Sequence, residues 1–438
     1  MSLRNLVIIG VLMELCYLSF YFVGETPDEV LVFIVVSVIV YAMLAFIIYH
    51  HRSVDKAASS DNRLLALIIG FAILFRLTLV PHAPVASDDI YRYIWDGKVA
   101  AHGINPFALS PNDSTLEFLH TTDLPSKVNF PNMRTIYPPL AQIFFWASHI
   151  LFGDSVAGMK LLLAFIDFLT IVLLVLLLRQ NKLKLEAALL YAWSPLPIMY
   201  FGLDGHIDAL GISLLLLFIF LVGKDRYISG AVSLGFAALA KLYPMFIVAL
   251  LIRTGPRLKR FLMPAIPILL LAAGYWLYHE PTGGLFESLT VYSATWEFNG
   301  SVSEILYLFF DSHVHAHVMS GVLFLLWLGW VFYVDRTLVE KIFLAFLGFI
   351  VVAPVVQPWY LTWLAAIIVL RWSVAVFVLL GLSTLSNFVV YSFRLTGFWQ
   401  DQIALLLIEY LPFYALLVWE VVRGRFRVSS PNLVLGPR

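Results

Sequence analysis

Residues 30–49 form an unbroken apolar run without a single charge, and runs of this kind recur from one end of the chain to the other. Such a stretch has no polar face to turn toward water. Lipid must solvate it, and then every backbone N–H and C=O must find its partner inside its own helix. Comparable runs fall at 6–23, 64–80, 156–178, 185–201, 207–222, 228–240, 242–252, 261–278, 318–334, 342–356, 359–370, 372–393 and 403–422. One crossing uses about 20 residues, so the chain reads as an all-α polytopic membrane protein of about 12–14 transmembrane helices. Only 13% of its residues are charged, about half the proportion in soluble domains. The shorter runs must be tilted, broken or covered by neighbours. A net charge of zero carries no basic footprint for nucleic acid. Cys16 is the single cysteine, which excludes an intrachain disulfide. The first run lacks a convincing cleavage site and reads as an anchor.

Cationic residues orient the bundle. Arg52, Lys56, Arg63, Arg179, Lys182, Lys184, Lys224, Arg226, Arg253, Arg336, Lys341 and Arg371 flank alternate runs on one side, which the positive-inside rule assigns to the cytoplasm. Both termini fall there too, and the expected host is a plasma (inner) membrane. Only Arg92, Lys98, Lys127, Arg134 and Arg394 fall outside. The whole chain, 1–438, reads as one integral membrane domain with two long extracytoplasmic loops, 81–137 and 279–317. No internal repeat is visible, which disfavours transporters built from duplicated halves.

The first outer loop opens with Ser87-Asp88-Asp89-Ile90-Tyr91-Arg92-Tyr93-Ile94-Trp95-Asp96-Gly97. These residues predict a short interfacial helix, capped by Ser87 or Asp88 and ended by Gly97 or Gly103. The two carboxylates admit two accounts. Negative charge stabilises a helix N-terminus, and Asp88 stands i,i+4 to Arg92. Alternatively, one carboxylate turns into a cavity, takes a raised pKa and acts as a general base where a lipid substrate meets water.

The loop motif is followed by Gly103-Ile104-Asn105-Pro106-Phe107 and Ile136-Tyr137-Pro138-Pro139-Leu140. Further on stand Ser194-Pro195-Leu196-Pro197, Gly205-His206-Ile207-Asp208-Ala209, Ala240-Lys241-Leu242-Tyr243-Pro244 and Gln357-Pro358-Trp359-Tyr360. In this order they resemble the GT-C glycosyltransferases, nearest to glycosyltransferase family 87 and the mannosyltransferases that use polyprenyl-phosphate mannose. The enzyme that adds the first mannose to glycosylphosphatidylinositol is a more distant likeness. The resemblance implies a GT-C bundle with interfacial helices in its first outer loop. It also implies sugar transfer from a lipid-phosphate carrier, with Asp88 or Asp89 at the position of the family's catalytic aspartate.

Other polar groups in apolar surroundings are candidates for substrate binding, because an ionisable residue within a span is costly. Lys241 would neutralise the carrier phosphate, or else form a buried pair with Asp167, Asp204 or Asp208. Asp204, His206 and Asp208 join two spans on the outer side and would orient a sugar hydroxyl, or serve as turn and cap residues. Arg92, Arg134 and Arg394 are phosphate candidates by scarcity; Arg76 is read as a snorkelling arginine. Tyr137, Trp95, Trp296, Trp359, Tyr360 and Trp363 would stack on sugar faces or form a headgroup belt. No cofactor is expected; a divalent metal at Asp204, His206 and Asp208, or at His313, His315 and His317, is the lesser reading. Asn112 and Asn299 begin glycosylation sequons on outer loops.

The expected activity is movement of a hexose, most simply mannose, from a polyprenyl-phosphate donor to a lipid-linked or glycan acceptor outside the cytoplasm. Membrane lipids complete the partners. The alternative is a transporter or flippase of lipid-linked sugars that performs no chemistry. A third reading is a noncatalytic partner of another membrane enzyme.

Overall fold

The computed structural model describes residues 2–24, 26–52, 62–255, 260–280, 284–400 and 402–424. Helices of eight or more residues follow one another as α1 (Leu3–Leu18), α2 (Asp28–Arg52), α3 (Asn62–Leu79), α4 (Asp89–Ala101), α5 (Pro139–Phe152), α6 (Val156–Gln180), α7 (Asp208–Val222) and α8 (Tyr227–Ala240). They continue as α9 (Leu262–Trp276), α10 (Glu287–Thr295), α11 (Val302–Phe310), α12 (His313–Tyr333), α13 (Leu338–Val352), α14 (Val374–Leu382), α15 (Phe388–Thr396) and α16 (Ile403–Val422). Among the described residues no strand forms beyond an isolated bridge between Phe298 and Val355.

The protein is therefore an all-α polytopic membrane protein, with seven helices long and apolar enough to cross a bilayer among the described residues. Four shorter apolar helices, α5, α7, α8 and α9, accompany them. At 1.5 Å per residue the 14–15 residues of each fall short of a hydrocarbon core about 30 Å thick. Caps start several helices: Ser155 accepts from Gly158 N–H at α6, and Thr337 and Glu340 form a capping box at α13.

Three of the expected crossings are broken. Residues 185–201 become short turns followed by a π-helical segment, Ile198–Leu203. Pro195 and Pro197 carry no N–H and interrupt the ladder. The 242–252 run breaks where α8 ends, because Lys241 is extended (φ −153°, ψ 136°). The 359–370 run is a 3₁₀ turn, Pro358–Leu361, followed by Thr362–Ile367. Irregular backbone at such depth is tolerated only inside protein or around a wet cavity, and all three breaks meet at one place.

The excursion between α3 and α6 leaves and returns on the same side. The Lys160 ammonium on α6 donates to the carbonyls of Leu79 (3.2 Å) and His82 (2.5 Å), so α6 begins beside the end of α3. Within the excursion, α4 is buried almost all round and packs its aromatic rows against α5, with the Tyr93 and Phe145 rings stacked at 4.6 Å. Gly97 lies where a Cβ would stand 2.3 Å from the Phe145 carbonyl oxygen, so it permits close packing and ends nothing. Gly103, at φ +73°, follows the helix end instead. The helix that turns an apolar face outward is α5, through Ile143, Trp146 and Ile150. Their i, i+3, i+7 spacing makes one stripe, which the sequence reading did not single out.

Candidate active site

Asp88 and Asp89 stand at the start of α4, yet neither caps it. The Asp88 side chain makes no capping bond, and Ser87 Oγ accepts the Asp89 N–H at 3.3 Å. Both carboxylates are instead drawn together by Asn129, whose amide donates to Asp88 (2.8 Å) and Asp89 (2.9 Å). The expected Asp88–Arg92 pair is also absent. Arg92 pairs with Asp96 at 2.8 Å and donates to the Met133 carbonyl at 2.9 Å. Arg92 reaches Asp96 because that i,i+4 partner lies on the buried face it shares with α5, where Gln142 also bonds Asp96.

Asp88 faces outward; Asp89 faces inward, with 21% of its side chain exposed. Burial, and next the repulsion of Asp88, raise the Asp89 carboxyl from 3.8 to about 6. Asn129, Lys241 and Tyr137 pull the other way. The Lys241 ammonium lies 5.7 Å from the Tyr137 ring centre and within similar reach of Tyr243 and Tyr360. It pairs with Asp208 at 3.2 Å, and the Trp363 indole N–H donates to the other Asp208 oxygen at 2.8 Å. Of the partners open for Lys241 in the sequence, Asp208 is the one. Asp167 belongs to Arg76, which is fully buried at 2.5 Å from it rather than snorkelling.

His206 forms the wall between the two charged groups. Its ring lies on Trp359 at 4.0 Å and 19°, and Nδ1 is 3.7 Å from Asp89. Both of its ring nitrogens are buried without a hydrogen-bond partner among the described residues. Gly205 turns the chain at φ +78°, where a Cβ would stand 2.5 Å from Ile90 Cδ1. This glycine lets His206 press against α4. Tyr292 closes the chamber, sharing a 2.7 Å hydrogen bond with Tyr360.

The remaining candidates lie outside this chamber. Asp204 accepts the N–H groups of Val85 (2.7 Å) and Ala86 (3.2 Å), and Arg394 donates to the Val85 carbonyl at 2.5 Å. Both hold the strap that carries the carboxylates. Arg134 pairs with Glu287 at 3.2 Å on a neighbouring cleft. Asp204, His206 and Asp208 therefore do not converge as ligands. Among the described residues no group of three or more His, Cys, Asp or Glu side chains is arranged to hold a metal. His313 and His317 both meet Glu297, and Asn299 is buried against Glu409, not displayed for glycosylation. Asn129, Tyr243 and Tyr292 are site residues the sequence did not suggest. Asn129 sits in an irregular loop with no periodic signal.

No curated protein and no solved structure matches the chain significantly. A protein family does, under the description alpha-(1->6)-mannopyranosyltransferase, N-terminal domain, over residues 12–254. That stretch contains the acidic pair, Asn129, Tyr137, His206, Asp208 and Lys241. More than half of the 438 residues are matched, and the chain belongs to this family of membrane mannosyltransferases.

Proposed function

We propose that the protein transfers mannose from a polyprenyl-phosphate carrier to an extracytoplasmic acceptor by a single inverting displacement, with Asp89 as general base. The observation that carries this reading is that a carboxylate raised to about 6 and a lysine ammonium both meet one tyrosine, Tyr137. A sugar lying over Tyr137 would have its acceptor face toward Asp89 and its leaving phosphate toward Lys241. Asp89 removes the proton of the acceptor hydroxyl as that oxygen bonds to the anomeric carbon. The bond from that carbon to the phosphate oxygen breaks with its electron pair, and the Lys241 ammonium holds the departing negative charge. The unpartnered nitrogens of His206 suit a sugar hydroxyl, and Trp359, Tyr360 and Tyr243 supply apolar ring faces. Asn129 holds Asp89 in place, and Asp88 repels its charge without taking the proton.

The family's described activity, formation of an alpha-(1->6) mannosyl linkage, constrains the donor under this reading. A single inversion yields an α product only from a β-linked donor. The carboxylates belong to the segment that leaves and returns beside the end of α3, opposite the cationic ends, which supports a site on the extracytoplasmic face. The lipid tail would lie along the exposed apolar stripe of α5 or between spans.

The test compares Asp88→Asn and Asp89→Asn at equal expression, with labelled polyprenyl-phosphate mannose and membrane extract. Asp89→Asn is expected to lose transfer by roughly 10²–10⁴-fold, and Asp88→Asn to keep most of it. Retained transfer in Asp89→Asn would falsify the base assignment. Protected, unchanged donor with the unaltered protein would point to a carrier without chemistry.

A further inference from the structure

A cleft of about 260 Å³ opens between the outer loop and α10, lined by Ser110, Asp113, Asn132, Arg134, Glu287 and Ser288 among others. It lies beside the carboxylate chamber, not on it, and its two walls run into that chamber. On α10, Ser288 faces the cleft and Tyr292, four residues on, bonds Tyr360 at the chamber. Four residues of helix advance about 6 Å. On the opposite wall Asn132 follows closely on Asn129, the residue that holds both carboxylates. Arg92 donates to the Met133 carbonyl at 2.9 Å and so ties this wall to α4, one turn from Asp89. Next to Asn129, Phe130 meets Trp296 edge-on at 4.9 Å.

The lining chemistry selects the occupant. Hydroxyls, the Asn132 amide and the Asp113 carboxylate present donors and acceptors beside the Arg134–Glu287 ion pair, a mixture that suits a polyhydroxylated ligand. Two carboxylates against one guanidinium repel a phosphate, so the donor's anionic end is disfavoured here. The volume lies just under the about 300–1,000 Å³ of ordinary small-molecule sites, which suits one or two sugar rings. We infer that this cleft is the acceptor subsite, holding the non-reacting ring of a neutral mannoside while its neighbouring hydroxyl reaches Asp89. The inference rests on the glycosyl-transfer reading above.

The experiment separates the two. Binding of methyl α-1,6-mannobioside to the purified full-length protein is titrated first, without donor. The unaltered protein is expected to bind it saturably. Asn132→Ala removes one polar wall group and Ser110→Trp fills the space, each with an unchanged melting midpoint. Asn132→Ala should weaken binding about tenfold, as the loss of one good hydrogen bond does, and Ser110→Trp at least as much by occupying the ring's space. Unchanged affinity in both variants overturns the subsite, and so does absence of saturable binding by the unaltered protein. Asp89→Asn is expected to bind the mannobioside normally while failing to extend it. If it extends the mannobioside, the catalytic reading fails while the subsite stands on its own titration.

Discussion

Asp89→Asn is expected to make the protein more stable at alkaline pH while removing its activity. The folded protein raises the Asp89 carboxyl from 3.8 to about 6, so ionising it in the native state works against folding. The sign follows from proton linkage. Between the unfolded value and the folded one, the native state binds the extra proton, so this group's contribution to stability declines as pH rises through that window. The penalty is absent below about 4, where both states are protonated, and reaches its full size above about 6. A shift of about two units corresponds to roughly 3 kcal/mol at 1.36 kcal/mol per unit. With an unfolding entropy of about 2.1 cal/mol/K per residue over 438 residues, that becomes roughly 3 °C in the midpoint. The introduced amide oxygen can still accept the Asn129 N–H, so the local bonding survives. The assay is thermal unfolding in one detergent from pH 4 to pH 8. The variant should melt higher at pH 8, and the two curves should meet near pH 4. A variant that melts lower at pH 8, or an offset independent of pH, would refute the placement of a strained carboxylate at this site.

Three further outcomes follow from the same geometry. Transfer rate should fall as pH drops through about 6, the value to which burial raises Asp89; Asp88→Asn removes a repelling neighbour and should move that limb lower, as a pH–rate profile reads. Lys241→Met strands the fully buried Asp208 and should destabilise by about 3–5 kcal/mol; adding Asp208→Asn should recover the melting midpoint but not the transfer. Gly205→Ala places a side chain at φ +78° and 2.5 Å from Ile90, which should cost about 1–3 kcal/mol and lower transfer at unchanged donor concentration.

The apolar runs and the chemistry-bearing motifs were legible because each depends on neighbours in sequence. Asp88, Asp89, His206, Asp208 and Lys241 announced themselves as polar groups in apolar company, and the structure gathers them into or beside one chamber. What stayed hidden depends on partners far along the chain. Asn129 meets Asp89 across 40 residues, and Trp363 meets Asp208 across 155. Spacing rules for a helix report only residues three or four apart, and even these misassigned Arg92, which has carboxylates on both sides and takes the one on the packed face. Counting crossings by hydropathy also failed at 185–201, 242–252 and 359–370. Pro195 and Pro197 lie inside the first run, Pro244 inside the second just after the extended Lys241, and Pro358 immediately before the third. Periodicity distinguishes apolar from polar, not whole from broken.

The strap before Asp88 is tied from both sides: Asp204 takes its amides and Arg394, on α15, takes its carbonyl. The aromatic wall at Trp359, Tyr360 and Trp363 likewise comes from beyond residue 254, where the family likeness stops. The recognisable half thus carries the acidic pair, His206 and Lys241 but only part of what keeps them in register. Cutting the chain after the matched portion would leave Asp89 with Asn129, and with Asp204 still holding its strap, but without Arg394, and Lys241 without Tyr360 beside it. Two fragments, expressed apart and mixed in one membrane, would regain function only by re-forming that seam.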